Sequence, residues 1–465
     1  MKRPLSVPLV AMVIAIALLA TGCMTPPAPY QKPTMEVPAA FQESALWKTA
    51  LPDAASVPDD WWLLFNDAVL NDLQKQVLLG NENLKSAAAQ VEIARAALGS
   101  SRAGLVPTVG ASAGASRSAI PGSSAINPSY SAAASASWEI DLWGRVSGNV
   151  SAAEARLQAS SNDLAAARLS VQALLTQTYF SLRAAELQDV LLQRSIEAYQ
   201  RSLVLTQNRY AAGIVSAADV TQAQVQLKST QAQRVQTNSS RSQLEHALAT
   251  LLGKPSAMFA LPRAASLPDV PSIPVQLPAS LIERRPDIAA AERRVAVANA
   301  QIGVAQSAFF PAVTLSANAG FRGSDLVNLL SAPNLFWSLG PALATTLFDG
   351  GARKSAEESA RASLDVATAT YRQTVLTALQ EVEDNMGLAT SLEEEALLQA
   401  DAMAAAQRSL EIANNQYQAG TVSYLNVVTA QATALGSERT LLDVRNRRLA
   451  ATAQLLKNLA GRWDR

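Results

Sequence analysis

The sequence predicts a mainly α-helical chain with a small transmembrane β part, and three observations carry that prediction. The body is written twice. Proline is shut out of two long stretches. Four short segments beside those stretches alternate with period two.

The repeat comes first, because a duplication this long governs how any single motif is read. Tyr210, Gly213, Val215, Val220 and Gln224 recur as Tyr417, Gly420, Val422, Val427 and Gln431, all at one offset of 207 positions. An upstream pair agrees in spacing: Leu84 precedes Pro107-Thr108-Val109 by 23 residues, and Ile288 precedes Pro311-Ala312-Val313 by the same 23.

All 22 prolines fall outside Gly144–Lys254 and Ala342–Arg465. A helix interior excludes proline more strongly than any other residue, so these are the seats of long helices. In the first, Val171, Leu175, Thr178, Leu182, Ala185, Asp189, Leu192, Ile196, Tyr199, Leu203, Thr206 and Tyr210 follow steps of four and three. That is a heptad seam, interrupted only by Asp189. The same positions of the second copy, from Ala378 to Tyr417, give a weaker seam of smaller and more polar residues. Such side chains suit helices packed side by side in a curved wall. Gly213 and Gly420 close the rods in the left-handed conformation, and Ser216 and Ser423 cap the returning helices. Two antiparallel helical hairpins are expected, about 144–252 and 350–459, with tips at 211–218 and 418–425.

Before each rod lies a pair of alternating segments, about 107–119 and 129–140, then 311–322 and 335–347. Val313, Leu315, Ala317, Ala319 and Phe321 share one face, as do Trp337, Leu339, Leu343 and Leu347. Two β-hairpins are expected, each strand about as long as a transmembrane β-strand. A low-complexity loop is the alternative for the Ala/Ser-rich first pair. Four strands cannot close a barrel, and an open edge is not tolerated in hydrocarbon, so closure must come from other copies. Three copies give twelve strands.

Composition narrows the function. The chain has 465 residues, 38 basic and 38 acidic side chains, one cysteine and one histidine. Zero formal charge leaves no electrostatic footprint for a nucleic-acid partner. One cysteine and one histidine cannot make a disulfide framework or a zinc cluster, and few scattered methionines offer no soft-metal route. Neither an enzyme nor a cofactor is expected, and His246 reads as a surface residue.

The lone cysteine has its own context. Met1-Lys2-Arg3, an apolar run of 14 residues from Val7 to Ala20, and small residues before Cys23 follow the order of a secretory signal. The run is short for a membrane span. It resembles the bacterial lipoprotein signal, which implies removal of residues 1–22 and a covalent lipid, palmitate included, on Cys23. A plain cleaved signal with an incidental Cys23 is the alternative. Met24 implies sorting to the outer membrane. Seven prolines between residues 24 and 58 make the segment 23–58 an extended strap.

Arg284-Arg285-Pro286-Asp287-Ile288, Ala298-Asn299-Ala300-Gln301-Ile302-Gly303 and Phe309-Phe310-Pro311 resemble the signature run of outer-membrane efflux lipoproteins of the TolC/OprM type, NodT-like proteins among them. Trp61-Trp62 with Phe65 and Asp67, Leu142-Trp143-Gly144-Arg145, Phe348-Asp349-Gly350-Gly351 and the two Tyr-x-x-Gly tips extend the likeness. The resemblance implies a homotrimer in which four strands per chain complete one 12-stranded barrel in the outer membrane, above a periplasmic α-barrel. It divides the chain into an equatorial segment at 59–80, a first repeat at 81–254, an equatorial linker at 255–284, a second repeat at 285–461 and a C-terminal tail at 462–465. The implied function is passive conduction of drugs or other small toxic solutes. The implied partners are a periplasmic adaptor (membrane fusion) protein, an inner-membrane pump of the RND or MFS type, and outer-membrane lipid.

The resemblance also assigns the gate to the tips, at Tyr210, Gly213, Val215, Ser216 and Asp219 on the first hairpin and Tyr417, Gly420, Val422, Ser423, Asn426 and Thr429 on the second. In that family, acidic residues just past the second turn form constricting rings. Here the matching positions are Asn426 and Thr429, neither ionisable. Asp219 matches a family position that takes part in tip hydrogen bonding; a solvated acid favoured by the helix dipole is the simpler reading. Three other classes share parts of this pattern: a periplasmic adaptor lipoprotein has only one such hairpin, a type I protein-secretion tunnel shares the whole architecture, and a structural coiled-coil envelope lipoprotein needs no barrel.

Overall fold

In the computed structural model, residues 30–35, 60–119, 126–264, 266–271 and 285–460 are described. Cys23, the signal segment, most of the strap and residues 462–465 lie outside them.

Helix α1 (Ala68–Gly80) precedes two copies of one element order. The first copy is α2 (Glu82–Ala103), β1 (Thr108–Ala119), β2 (Ile126–Ile140), α3 (Arg145–Ala211) and α4 (Ala217–Leu251). The second is α5 (Pro286–Ser307), β3 (Ala312–Gly323), β4 (Leu335–Ala344), α6 (Ala352–Gln418) and α7 (Tyr424–Leu459). Each copy thus opens with a helix that the heptad and proline patterns leave unassigned, because α2 and α5 are short of a sustained apolar seam. Proline at the first position of α5 suits a helix start, where its missing N–H has no bond to lose. The chain divides into two compact units, each described in turn: one drawn from Met1–Thr34, Glu92–Ala159 and Ala291–Tyr371, the other from Met35–Val91, Ser160–Ala290 and Arg372–Arg465.

The first unit holds a single antiparallel sheet in the order β1-β2-β3-β4. Residues opposite one another in register share a face. Val109↔Ala136, Ala115↔Tyr130, Trp138↔Leu315, Ala317↔Leu339, Ala319↔Trp337 and Phe321↔Leu335 therefore build one face, which is apolar in the paired rows apart from Arg117, opposite Pro128 near the turn end of β1. The other carries Ser112, Ser116, Ser131, Ser135, Ser316, Asn318 and Ser338, with small Ala and Gly between them. Two boundaries differ from the sequence reading. β2 begins at Ile126 rather than 129, because its pairing with β1 continues through Pro128, opposite Arg117. β4 stops at Ala344 rather than 347, because its last partner is Ala312 and Pro311 before it has no N–H to extend the ladder. Leu347 is therefore not part of the strand face. Beneath the sheet, Trp143 donates its Nε1–H to the Pro311 carbonyl at 2.7 Å and stacks on Phe310, tying the two strand-helix corners together. Tyr30 hydrogen-bonds the Glu292 carboxylate, and Arg293 lies over its ring.

The second unit is built around Trp61, Trp62, Phe65, Leu70, Tyr179, Phe180, Leu248, Val382 and Leu456. Asp67 starts α1 by accepting from the N–H groups of Val69 and Leu70 at 2.9 and 3.0 Å, and takes the Tyr179 hydroxyl at 2.6 Å. Buried Gln74 donates to Thr176 and to the Gln172 carbonyl. The signature Arg285 is buried, bridging Asp287 at 2.7 Å and Glu381 at 2.9 Å, and so ties the start of α5 to α6.

Asp189, the interruption of the first seam, belongs to a buried polar network that docks the linker after α4. Asp189 accepts from Arg234, Asn238 and Arg263 at 2.8, 3.0 and 2.7 Å. Glu186, 1 % exposed, accepts from Arg183, Arg241 and the Ala264 N–H. Arg183 and Arg241 also donate to the carbonyls of Pro262 and Leu261. One pair of this network is inherited: Glu186–Arg241 recurs at the repeat offset as Glu393–Arg448, 2.7 Å apart.

Two outcomes test this packing. Gly80 lies where a Cβ would come within 2.2 Å of the Leu252 carbonyl oxygen, so Gly80→Ala forces the ends of α1 and α4 apart. Thermal melts followed by circular dichroism should show a lower transition, corresponding to about 1–3 kcal/mol. Asp189 gives a pH signature. Burial raises its pKa, but hydrogen bonds and charge from Arg234 and Arg263 outweigh this and hold the carboxyl below the usual range. Its stabilisation is whole above the unfolded value of ~3.9 and is lost as pH falls through the lower folded value. Asp189→Asn should lose about 1.5–3 kcal/mol at neutral pH, and the gap to the parent should narrow in melts below pH ~4.

Candidate functional site at the hairpin tips

The two tips fold by the same backbone chemistry. In the first, the N–H groups of Gly213 and Ile214 return to the carbonyls of Tyr210 and Arg209, each at 2.9 Å. In the second, those of Gly420 and Thr421 return to Tyr417 and Gln416, each at 3.0 Å. This paired closure needs a left-handed residue after the helix, and the two glycines supply it at φ +72° and +77°.

Past the turn the copies part. Ser216 and Asp219 form a complete capping box: the Asp219 carboxylate accepts from the Ser216 N–H at 2.9 Å and its hydroxyl at 3.0 Å, while Ser216 Oγ faces the Asp219 N–H. The hydrogen bonds that the Asp219 carboxylate accepts are thus local to the first hairpin. In the second, Asn426 stands in its place and Ser423 makes no side-chain cap. Asn426 and Thr429 are exposed, and the Thr429 hydroxyl turns back to the Leu425 carbonyl at 2.9 Å.

Tertiary contacts hold the second tip instead. Tyr424, 1 % exposed, sits where the first copy has exposed Ala217, packs edge-on to Tyr417 at 5.2 Å and hydrogen-bonds Ser202 on α3. Burial raises the phenol pKa of Tyr424, more than the Ser202 hydrogen bond lowers it, which keeps the ring neutral. Arg209, in the last turn of α3, donates to the carbonyls of Tyr417 at 2.7 Å and Gln418 at 2.6 Å and lies over the Tyr417 ring. One guanidinium therefore supplies donors to the last two carbonyls of α6, Gln418 and Tyr417, the latter also accepting from the Gly420 N–H. Leu203, Leu227 and Val427 complete the cluster, with Val215 and Val422 packed against it.

The structure thus brings Tyr417, Val215 and Val422 together and pairs Ser216 with Asp219. It leaves Ser423, Asn426 and Thr429 outside the cluster. The repeated tyrosines are not equivalent: Tyr417 is 4 % exposed and Tyr210 51 %. Arg209 and Tyr424 escaped the sequence reading, although a signal existed. Both are positions where the copies disagree, Arg209 against Gln416 and Tyr424 against Ala217. No group of three or more potential metal ligands occurs among the described residues, and none of the described helices is long and apolar enough to cross a membrane.

Comparison with known proteins places this geometry. A sequence profile of the outer membrane efflux protein family matches residues 73–254 and 277–461, the two repeats themselves. The toluene efflux pump outer membrane protein TtgC of Pseudomonas putida is 30% identical over 456 residues, covering 96% of this chain and 94% of that protein. The cation efflux system protein CusC of Escherichia coli is 29% identical over 457 residues, covering 97% and 98%. Among solved structures, the outer-membrane channel OprN superposes with a TM-score of 0.87 at 28% identity, covering 95% of this chain and 100% of that one. The duplicated hairpins, the four-stranded sheet and these matches together show that the chain belongs to the outer membrane efflux protein family, whose members are channel components of efflux pumps in the outer membrane.

Proposed function

We propose that three copies of this chain form one passive channel, which takes drugs or other small toxic solutes from an inner-membrane pump of the RND or MFS type, through a periplasmic adaptor, across the outer membrane. The sheet carries this reading. Among the described residues it has two unpaired edge strands, β1 and β4, and one face that is apolar apart from Arg117, with Leu335, Trp337, Leu339 and Leu343 all more than half exposed. Such a sheet is stable in a bilayer only as part of a closed barrel with that face to lipid and the serine-rich face inward.

The tips support the same assembly. Tyr417 packs on α3 of its own chain, whereas the repeat-related Tyr210 has no such cover. In a ring of six hairpins every second contact lies between copies, which is where Tyr210 would be covered. We assign gating to these tips and the energy to the pump. Recognition of the individual solute lies upstream as well, since relatives named for toluene and for cations resemble this chain to nearly the same degree. A lipid on Cys23 would add an anchor beside the barrel.

The test uses protein purified from outer membranes. Light scattering corrected for detergent should give three chains, and planar bilayers should show discrete openings. Leu339→Arg, on the lipid side, should cost about 2–4 kcal/mol and suppress insertion, whereas Ser338→Arg next to it should insert normally. Equal behaviour of the two would overturn the assignment of faces. At the tips, Asp219→Ala removes a cap worth about 0.5–2 kcal/mol and Arg209→Ala removes the clamp on Tyr417 and Gln418. Either should raise closed-state conductance in single-channel records, and unchanged records for both would place the gate elsewhere.

A further inference from the structure

The sheet and its turns carry only four charged side chains, Arg117, Glu139, Arg322 and Asp325. Three are accounted for. Glu139 is held by Arg145, which donates from Nε at 2.7 Å and from Nη2 as well. Asp325 is occupied within its own turn, accepting from the Val327 N–H at 3.1 Å and the Asn328 side chain at 2.8 Å. Arg117 has the parity of Val109, Ala111, Ala113 and Ala115 and stands opposite Pro128, so it belongs to the apolar face.

Arg322 is different. It has the parity of Thr314, Ser316, Asn318 and Gly320 and stands opposite Ser131, which puts it on the serine-rich face near the turn end of β3. Its guanidinium lies over the ring of Phe336 on the neighbouring strand, 5.2 Å from the centroid, and is paired with no carboxylate among the described residues. The stacking keeps the charge close to the wall without neutralising it. Glu139 also has the parity of this face, but it stands opposite Thr314 at the far end of β3 and is neutralised by Arg145; the other side chains there are hydroxyls, amides, small groups and the Phe336 ring, so no unpaired charge opposes Arg322.

We propose that Arg322 sets the ionic preference of the β part of the conduit, favouring anionic over cationic solutes at its outer mouth. This rests on the trimeric-channel reading above, in which three copies of Arg322 form one ring on the inner wall. Fixed charge of one sign in a channel with low-dielectric walls raises the local concentration of the opposite ion.

Reversal potentials in planar bilayers across a KCl gradient test this, with the dilute side near 0.1 M, where a charge acts over ~10 Å. Arg322→Gln should lower the anion-to-cation permeability ratio by about two-fold or more. Arg322→Lys should keep the parent ratio, and Arg117→Gln, which removes a charge from the lipid side, should leave it unchanged. Normal openings of Arg322→Gln with the parent reversal potential would overturn the proposal, as would an equal shift from Arg117→Gln. A parent protein that inserts but never conducts would defeat the channel reading itself, and the proposal with it.

Discussion

The backbone of an edge strand cannot be left unpaired in hydrocarbon, and most of this chain's design follows from that one constraint. β1 and β4 each expose a row of N–H and C=O groups with no strand partner among the described residues. Each unsatisfied group in a bilayer costs several kcal/mol, on the order of a whole side chain's burial. A four-stranded sheet in an outer-membrane protein is therefore an unfinished object, and its side chains are arranged for completion. The apolar face exposes Trp337, Leu339 and Leu343, while the other carries serine after serine, the division that a barrel with lipid outside and a passage inside requires. The close approach of the strands is part of the same economy. At Gly320 a Cβ would fall 2.4 Å from the Ala132 carbonyl oxygen, so β2 and β3 depend on a position with no side chain.

The duplication explains how a single chain supplies such an assembly, and its imperfections show how the copies differ in task. The Glu186–Arg241 pair recurs as Glu393–Arg448, so the interhelix bridge was present in the unit that doubled. In the first copy it is buried beneath the linker and joined to Arg183, the Pro262 carbonyl and the Ala264 N–H. In the second it stays a partly exposed pair, whose contribution is small. The same inherited contact is thus structural in one copy and marginal in the other, and the difference lies in what covers it.

Patterns that depend on neighbours in sequence were legible: the repeat, the proline-free rods, the glycine closures and the strand alternation all reflect local geometry. The Ala/Ser-rich first hairpin was only half legible. Its side chains say little about period, and its identity as β1 and β2 comes from register with β3, over 170 residues later, as in Ile140↔Val313. Asp189 reads from sequence as a flaw in a heptad seam, yet its partner Arg263 comes from a linker that carries no periodic signal. Arg209 was missed for a related reason. A basic residue in the last turn of a helix is ordinary, and only the fold shows that it serves the end of a different helix, α6 rather than its own α3. At the candidate site, then, the turns could be read and the partners could not.

That distinction bears on the tips themselves. The first hairpin carries its own cap, in which Ser216 and Asp219 satisfy each other whatever lies nearby. The second lacks that device, with Asn426 in the aspartate's place, and relies on groups brought from the first, the Ser202 hydroxyl on Tyr424 and the Arg209 guanidinium on the end of α6. A locally capped helix end keeps its geometry when its neighbour moves, whereas one held by tertiary contacts keeps it only while those contacts last. The two copies of one motif therefore have unequal independence: the first defines its own turn, and the second borrows its definition from the first. Any displacement between the hairpins falls on the contacts of Tyr417, Gln418 and Tyr424 before it reaches the Ser216–Asp219 cap, so the order in which the tip can come apart is set by which copy carries the aspartate.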